Sequence, residues 1–172
     1  MLQTARLIIE PLTLDDTPFI LALLNDPDFI AQIADRGVRD EAAAGRYLEE
    51  GPLASYREHG FGLWAVRPRN GGDPIGLCGL LRRPTLADVD IGYALLPQAR
   101  GMGLAREATQ AVMDFARNTL GLTRLVAIVA PGNAPSRALL EGLGFEHESM
   151  VQLTPEAESL CLYSWETSEP VA

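Results

Sequence analysis

Gln98-Ala99-Arg100-Gly101-Met102-Gly103-Leu104-Ala105 lies between a strand-like apolar run and a long stretch of helical periodicity, so its backbone N–H groups converge where a helix begins. That arrangement suits an anion. Glycines at 101 and 103 remove the Cβ atoms that would hold a diphosphate away from the backbone, and they permit the positive φ that the turn needs. The helix end adds about half a positive charge. A plain strand-to-helix connection uses the same residue types, so neighbouring residues must decide between the two. A dinucleotide fingerprint does not fit. Arg106 stands where a third small residue should pack helix on strand, Arg124 stands where an acidic ribose partner should fall, and the motif follows an antiparallel meander rather than sitting in a βαβ unit.

Upstream of this turn, Asp88, Asp90 and Tyr93 offer groups that take or give a proton, with Asp90 the first choice of base; acids at this place also cap strand ends in solvent. Downstream, Asn133-Ala134-Pro135-Ser136 reads as an Asn N-cap followed by proline in the first helical turn. His59 and His147 stand outside any motif, His147 as an exposed strand residue and His59 near a helix end. Cys78 and Cys161 lie in apolar segments with no CxxC partner and no metal-type cluster, so both read as core thiols and no metal is expected. All fourteen basic residues are arginine, which excludes Schiff-base chemistry and lysine-dependent phosphate loops.

The chain has 172 residues, 47% of them hydrophobic, which suits one domain spanning 1–166 with a loose tail at 167–172. Its net charge of -9 argues against a nucleic-acid partner. No apolar stretch approaches the roughly 20 residues of a membrane span, and no export signal is evident, so no membrane partner and a cytoplasmic location are expected. Alternation predicts a strand over 6–12, and Thr13-Leu14-Asp15-Asp16 predicts a helix start. A second helix is predicted from Asp40 to about Tyr56, then strands over 61–67, 75–81 and 89–96. Ala108, Ala111, Val112, Phe115 and Ala116 form the core stripe of a helix of about 15 residues from Leu104. A strand over 124–129, a helix from Asn133 to near Gly142, and strands over 145–153 and 160–165 complete an α+β pattern (mixed α/β) around one sheet.

Four motifs in order resemble the GNAT acetyltransferase superfamily, in particular its RimJ/RimL branch: Thr4-x-Arg6-Leu7, Asp90-Ile91-Gly92-Tyr93, Gln98-x-x-Gly101-x-Gly103, and Asn133-x-x-Ser136 followed by Leu143-Gly144-Phe145. The resemblance implies a mostly antiparallel seven-stranded sheet flanked by about four helices, acetyl-CoA as co-substrate, and direct transfer to a primary amine. It further implies that backbone around Leu95 and Leu96 pairs with pantetheine, that Gln98 belongs to the coenzyme loop, and that the amides of Arg100, Gly101, Met102, Gly103, Leu104 and Ala105 hold the diphosphate. Asn133 and Ser136 would lie beside the pantetheine arm. Asp90, Tyr93 and Ser136 are the implied catalytic residues. Many relatives protonate the thiolate with a tyrosine where this chain has Leu140; water, Ser136 or Cys161 could deliver the proton instead. Arg36, Arg39, Tyr56 and Trp64 could line an acceptor groove, although Trp64 within an apolar strand also reads as core. The acceptor is a protein N-terminus or a small-molecule amine, and the protein a monomer or homodimer. A non-catalytic acyl-CoA sensor is the alternative.

Overall fold

The computed structural model describes residues 1–168. Eight strands form one sheet: β1 (Leu2–Gln3), β2 (Leu7–Pro11), β3 (Leu63–Pro68), β4 (Gly76–Leu81), β5 (Asp90–Leu95), β6 (Arg124–Val129), β7 (Glu146–Val151) and β8 (Leu160–Glu166). Their order is β1-β2-β3-β4-β5-β6-β8-β7. Every neighbouring pair is antiparallel except β5 and β6. Helices α1 (Thr17–Leu24), α2 (Pro27–Gln32), α3 (Glu41–Leu48), α4 (Ala54–His59), α5 (Leu104–Asn118) and α6 (Ala134–Gly142) flank it.

Alternation along each strand divides the core in two. Ile91 and Leu95 of β5 join α5 residues Leu104, Ala108, Val112 and Ala116, together with Leu140 of α6, on one face. Ala94 and Leu96 pack with Ile20, Leu23, Leu24, Ala44 and Leu48 of α1 and α3 on the other. Strands β3 and β4 are held close by glycine: a Cβ on Gly79 would stand 2.0 Å from the Gly62 carbonyl oxygen.

The mixed α/β architecture agrees with the expectation, and three details depart from it. An eighth strand appears because Leu2–Gln3 pairs with Ile8 and Ile9, a segment too short to show periodicity. The two predicted N-terminal helices become four. Asp26 caps a new helix through Phe29 N–H with Pro27 opening it, and Pro52, which has no N–H, sits in a π-helical turn over Glu49–Leu53 that separates α3 from α4. The expected tail is tied at its start, since Thr167 N–H donates to Thr123 C=O at 2.9 Å; residues 169–172 lie outside the described residues. Among the described residues, no helix is long and apolar enough to cross a membrane.

Candidate functional site

After β5 the chain makes a short turn over Pro97–Ala99 and enters α5 through Gly101 and Gly103, both left-handed at φ 76° and 77°. Gly103 is the N-cap, and Glu107 N–H closes onto its carbonyl at 3.1 Å. The N–H groups from Gly101 to Arg106 have no acceptor among the described residues, and those from Gly103 to Arg106 stand at the positive end of a 15-residue helix. Arg100 does not join them: its N–H donates to Pro97 C=O at 3.2 Å. Its guanidinium instead reaches Asp26 and Asp28, each at 2.6 Å, and the Leu95 carbonyl at 3.1 and 2.9 Å. Leu104 turns its side chain into the core and Ala105 C=O accepts from Thr109 Oγ1, leaving their amides free. Gln98 lines a groove of about 490 Å³ with Arg6, Arg69, Ala99, Met102 and Leu104.

Strands β5 and β6 pair at a single position, Asp90 with Val126, where Val126 N–H donates to Val89 C=O at 3.1 Å. Beyond it the two strands part. Leu96 N–H donates to Ile75 C=O at 2.8 Å, so by alternation the even-numbered residues of β5 bond to β4 while Tyr93 and Leu95 turn their backbone groups to the gap. The Leu95 carbonyl is taken by Arg100, which leaves the Tyr93 groups and the Leu95 N–H. Leu96, expected to face a pantetheine arm, belongs to the β4 ladder.

Across the gap stands α6. Asn133 is its N-cap, accepting from Ser136 N–H at 3.3 Å, and Ser136 Oγ lies 2.6 Å from the Tyr93 hydroxyl. Burial pushes the Tyr93 hydroxyl up to about 12, with Ser136 opposing, so it keeps its proton across the neutral range. Asp90 lies at the closed end of the split, 1% exposed, with both oxygens 3.2 Å from Arg83 Nε. Burial raises its pKa and Arg83 opposes the rise. Asp90, the first choice of base from the sequence, is thus enclosed and paired with Arg83. Asp88 is engaged by Arg124 at 3.0 Å.

The family of acetyltransferase (GNAT) domains matches residues 6–146. The chain belongs to the GNAT acetyltransferase family. It is 29% identical over 158 residues to the probable N-acetyltransferase YjcK of Bacillus subtilis, covering 88% of this chain and 87% of that one. The acetyltransferase from Agrobacterium tumefaciens str. C58 superposes with TM-score 0.78 at 27% identity, over 96% of this chain and 94% of that chain. The RimL ribosomal L7/L12 α-N-protein acetyltransferase in complex with coenzyme A shares the fold, with TM-score 0.77 at 17% identity over 95% of each chain.

Of the remaining candidates in this GNAT domain, Arg36 is exposed with no side-chain hydrogen bond or ion pair among the described residues, and the others have structural partners. Leu140 is 1% exposed inside the core. Tyr56 accepts from Leu12 N–H and donates to the Leu63 carbonyl, while Trp64 packs edge-on against Phe115 in the core. Arg39 is paired with Asp35. His59 stacks on Phe61, and His147 meets Tyr163 edge-on. Both cysteines are buried. Sequence reasoning missed the partners of the loop, namely Arg83 on Asp90, Asp26 and Asp28 on Arg100, and Glu107 on Arg6. The Arg100 and Arg6 pairs join residues 72 to 101 positions apart, which leaves no local spacing to find, while Arg83 and Asp90, seven apart, meet only because the turn between β4 and β5 folds back.

Proposed function

We propose that this GNAT domain transfers an acetyl group from acetyl-CoA to a primary amine by direct attack, with the coenzyme in the split between β5 and β6. The observation that carries this reading is the row of unpaired amides from Gly101 to Arg106, placed at the open end of a parallel strand pair that separates after one contact. Their donors would hold the diphosphate, Tyr93 and Leu95 would flank the pantetheine arm, and Asn133 and Ser136 would border it from α6. Acetyl-CoA supplies an activated thioester; the chain supplies orientation and protons.

The Leu95 N–H, turned to the gap, would polarise the thioester carbonyl, an effect that side-chain substitutions leave intact. The Tyr93–Ser136 pair holds a proton beside the gap; Ser136 Oγ would donate it to the departing sulfur, Tyr93 would replace it, and the water that takes a proton from the attacking amine would return one to Tyr93. That supplies the acid which relatives place on a tyrosine and which Leu140 cannot provide. An α-amine with a pKa near 8 is about one unit from neutrality at pH 7, so water suffices as base. Asp90 then positions the end of β5 through Arg83. A protein N-terminus is the favoured acceptor on this account, because a lysine amine near 10.4 would need a strong base that the gap does not present.

Thermal melting with saturating acetyl-CoA, beside NAD and ATP at equal concentration, tests the reading. At about 100 times Kd a ligand adds roughly 2.7 kcal/mol, which raises Tm by several degrees. A shift with acetyl-CoA alone supports the proposal; a shift with none of the three returns the glycine turn to a structural connection.

A further inference from the structure

Glu107 lies in the first turn of α5, the one acid there, four residues after the Gly103 N-cap. At 1.5 Å per residue it stands about 6 Å along the axis from the Gly103 N-cap and nearer still to the amides between, inside the Debye length at ordinary salt, so a bare carboxylate would oppose any diphosphate bound at this helix end. It is not bare. Thr4 Oγ1 donates to Oε1 at 2.6 Å, Arg6 N–H donates to Oε1 at 2.8 Å, and Arg6 Nε donates to Oε2 at 2.7 Å. The same guanidinium extends Nη1 to the Met102 carbonyl at 2.9 Å. A trans peptide sets the N–H opposite the C=O, so fixing the Met102 carbonyl toward Arg6 aims the Gly103 N–H away from it. A Cβ on Gly103 would lie 3.6 Å from Arg6 Nη2, which shows how closely the guanidinium backs this peptide.

We propose that Arg6 is a positioning residue for the coenzyme diphosphate, acting from behind the loop: it neutralises Glu107 and locks the 102–103 peptide so that Gly103 N–H faces the anion. This rests on the acyl-CoA reading above. Arg6 touches no coenzyme atom in this role, and Lys at position 6 cannot span both Glu107 and Met102 as the planar fork does.

Calorimetric titration of the full chain with acetyl-CoA and with CoA tests it. The Arg6→Ala variant is expected to bind both ligands at least fivefold more weakly than the wild type, and adding Glu107→Gln to that variant is expected to recover at least a twofold gain in affinity. Arg6→Ala binding within fivefold of the wild type, or a double variant with less than a twofold gain, overturns the proposal. Should Arg6→Ala fail to fold, Arg6→Lys, which keeps the charge but not the fork, is expected to bind both ligands at least fivefold more weakly, and binding within fivefold of the wild type overturns the proposal. A wild type that binds neither ligand overturns the acyl-CoA reading and this proposal together, whereas unchanged binding in the variants overturns this proposal alone.

Discussion

The Tyr93 hydroxyl stands 2.6 Å from Ser136 Oγ, joining β5 to the first turn of α6 across the gap between β5 and β6. If this pair delivers the proton to the leaving sulfur, Ser136→Ala and Tyr93→Phe each lower kcat by about 10²-fold, the low end for a lost general acid, with little change in KM for acetyl-CoA. The double variant should be no slower than the worse single one, because the two hydroxyls act as a unit. Steady-state kinetics of the three variants check this.

The pH profile follows from the same contact. A peptide α-amine becomes neutral near pH 8, so kcat/KM should rise about tenfold per unit below that and then level off. Burial holds the Tyr93 hydroxyl up at about 12, so no descending limb from its ionisation should appear before pH 10. A rate profile that falls between pH 8 and 9 would rule Tyr93 out as the proton reserve.

Glu107 links the fold to acid. Its partial burial pushes the carboxyl up, but hydrogen bonds from Thr4 and from the Arg6 N–H and guanidinium outweigh this and hold it below its ordinary 4.5. A depressed acid binds its proton more weakly when folded, so its stabilisation is complete above the unfolded value and disappears as pH falls through the lowered folded value. Glu107→Gln should therefore lower Tm at pH 7, and the difference should close as pH drops below 4.5. Melting curves of both proteins from pH 7 to pH 3 test this.

Leu140, which the family resemblance sets where many relatives carry a tyrosine, is 1% exposed in the core with residues of α5, β6 and β8. Introducing the family's group by Leu140→Tyr overpacks that core at a cost of about 1–3 kcal/mol. The variant should melt several degrees lower and show no gain in kcat. Restored or raised kcat would instead mean that the leucine replaces a catalytic acid directly.

Both thiols should be inert in the native protein. Cys78 and Cys161 are buried, and burial pushes the Cys78 thiol up to about 12 against a weak contact with Thr109. Titration with a chromogenic disulfide at pH 8 should find both cysteines only after denaturant is added.

The glycine turn, the long helix α5 and the strand over 124–129 were legible because each carries its own local pattern: positive-φ glycines, a three-and-four stripe, an unbroken apolar run. The helix start at Thr13-Leu14-Asp15-Asp16 was visible for the same reason, and the structure closes it as a capping box of Thr13 with Asp16. What escaped was mostly set by contacts made after folding, with one local cap hidden by its apolar surroundings. The break at Asp26–Pro27 interrupts a segment whose apolar content runs through it. Placement of β8 between β6 and β7 depends on which strands meet after folding. Asp90 reads as a free acid beside a loop until Arg83 is seen against it. Arg100 reads as an amide donor until its N–H is found on Pro97 and its guanidinium on Asp26 and Asp28.

Acetyl transfer itself is the most direct test of the account. The protein is incubated with acetyl-CoA and a panel of N-terminal peptides and small primary amines, thiol release is followed, and products are weighed by mass spectrometry. The account predicts thiol release that depends on the amine, with one acetyl group added at an α-amine and a Ser136→Ala variant about 10²-fold slower. Tight acetyl-CoA binding with no acetylated amine from any acceptor would contradict it and leave an acyl-CoA sensor in its place.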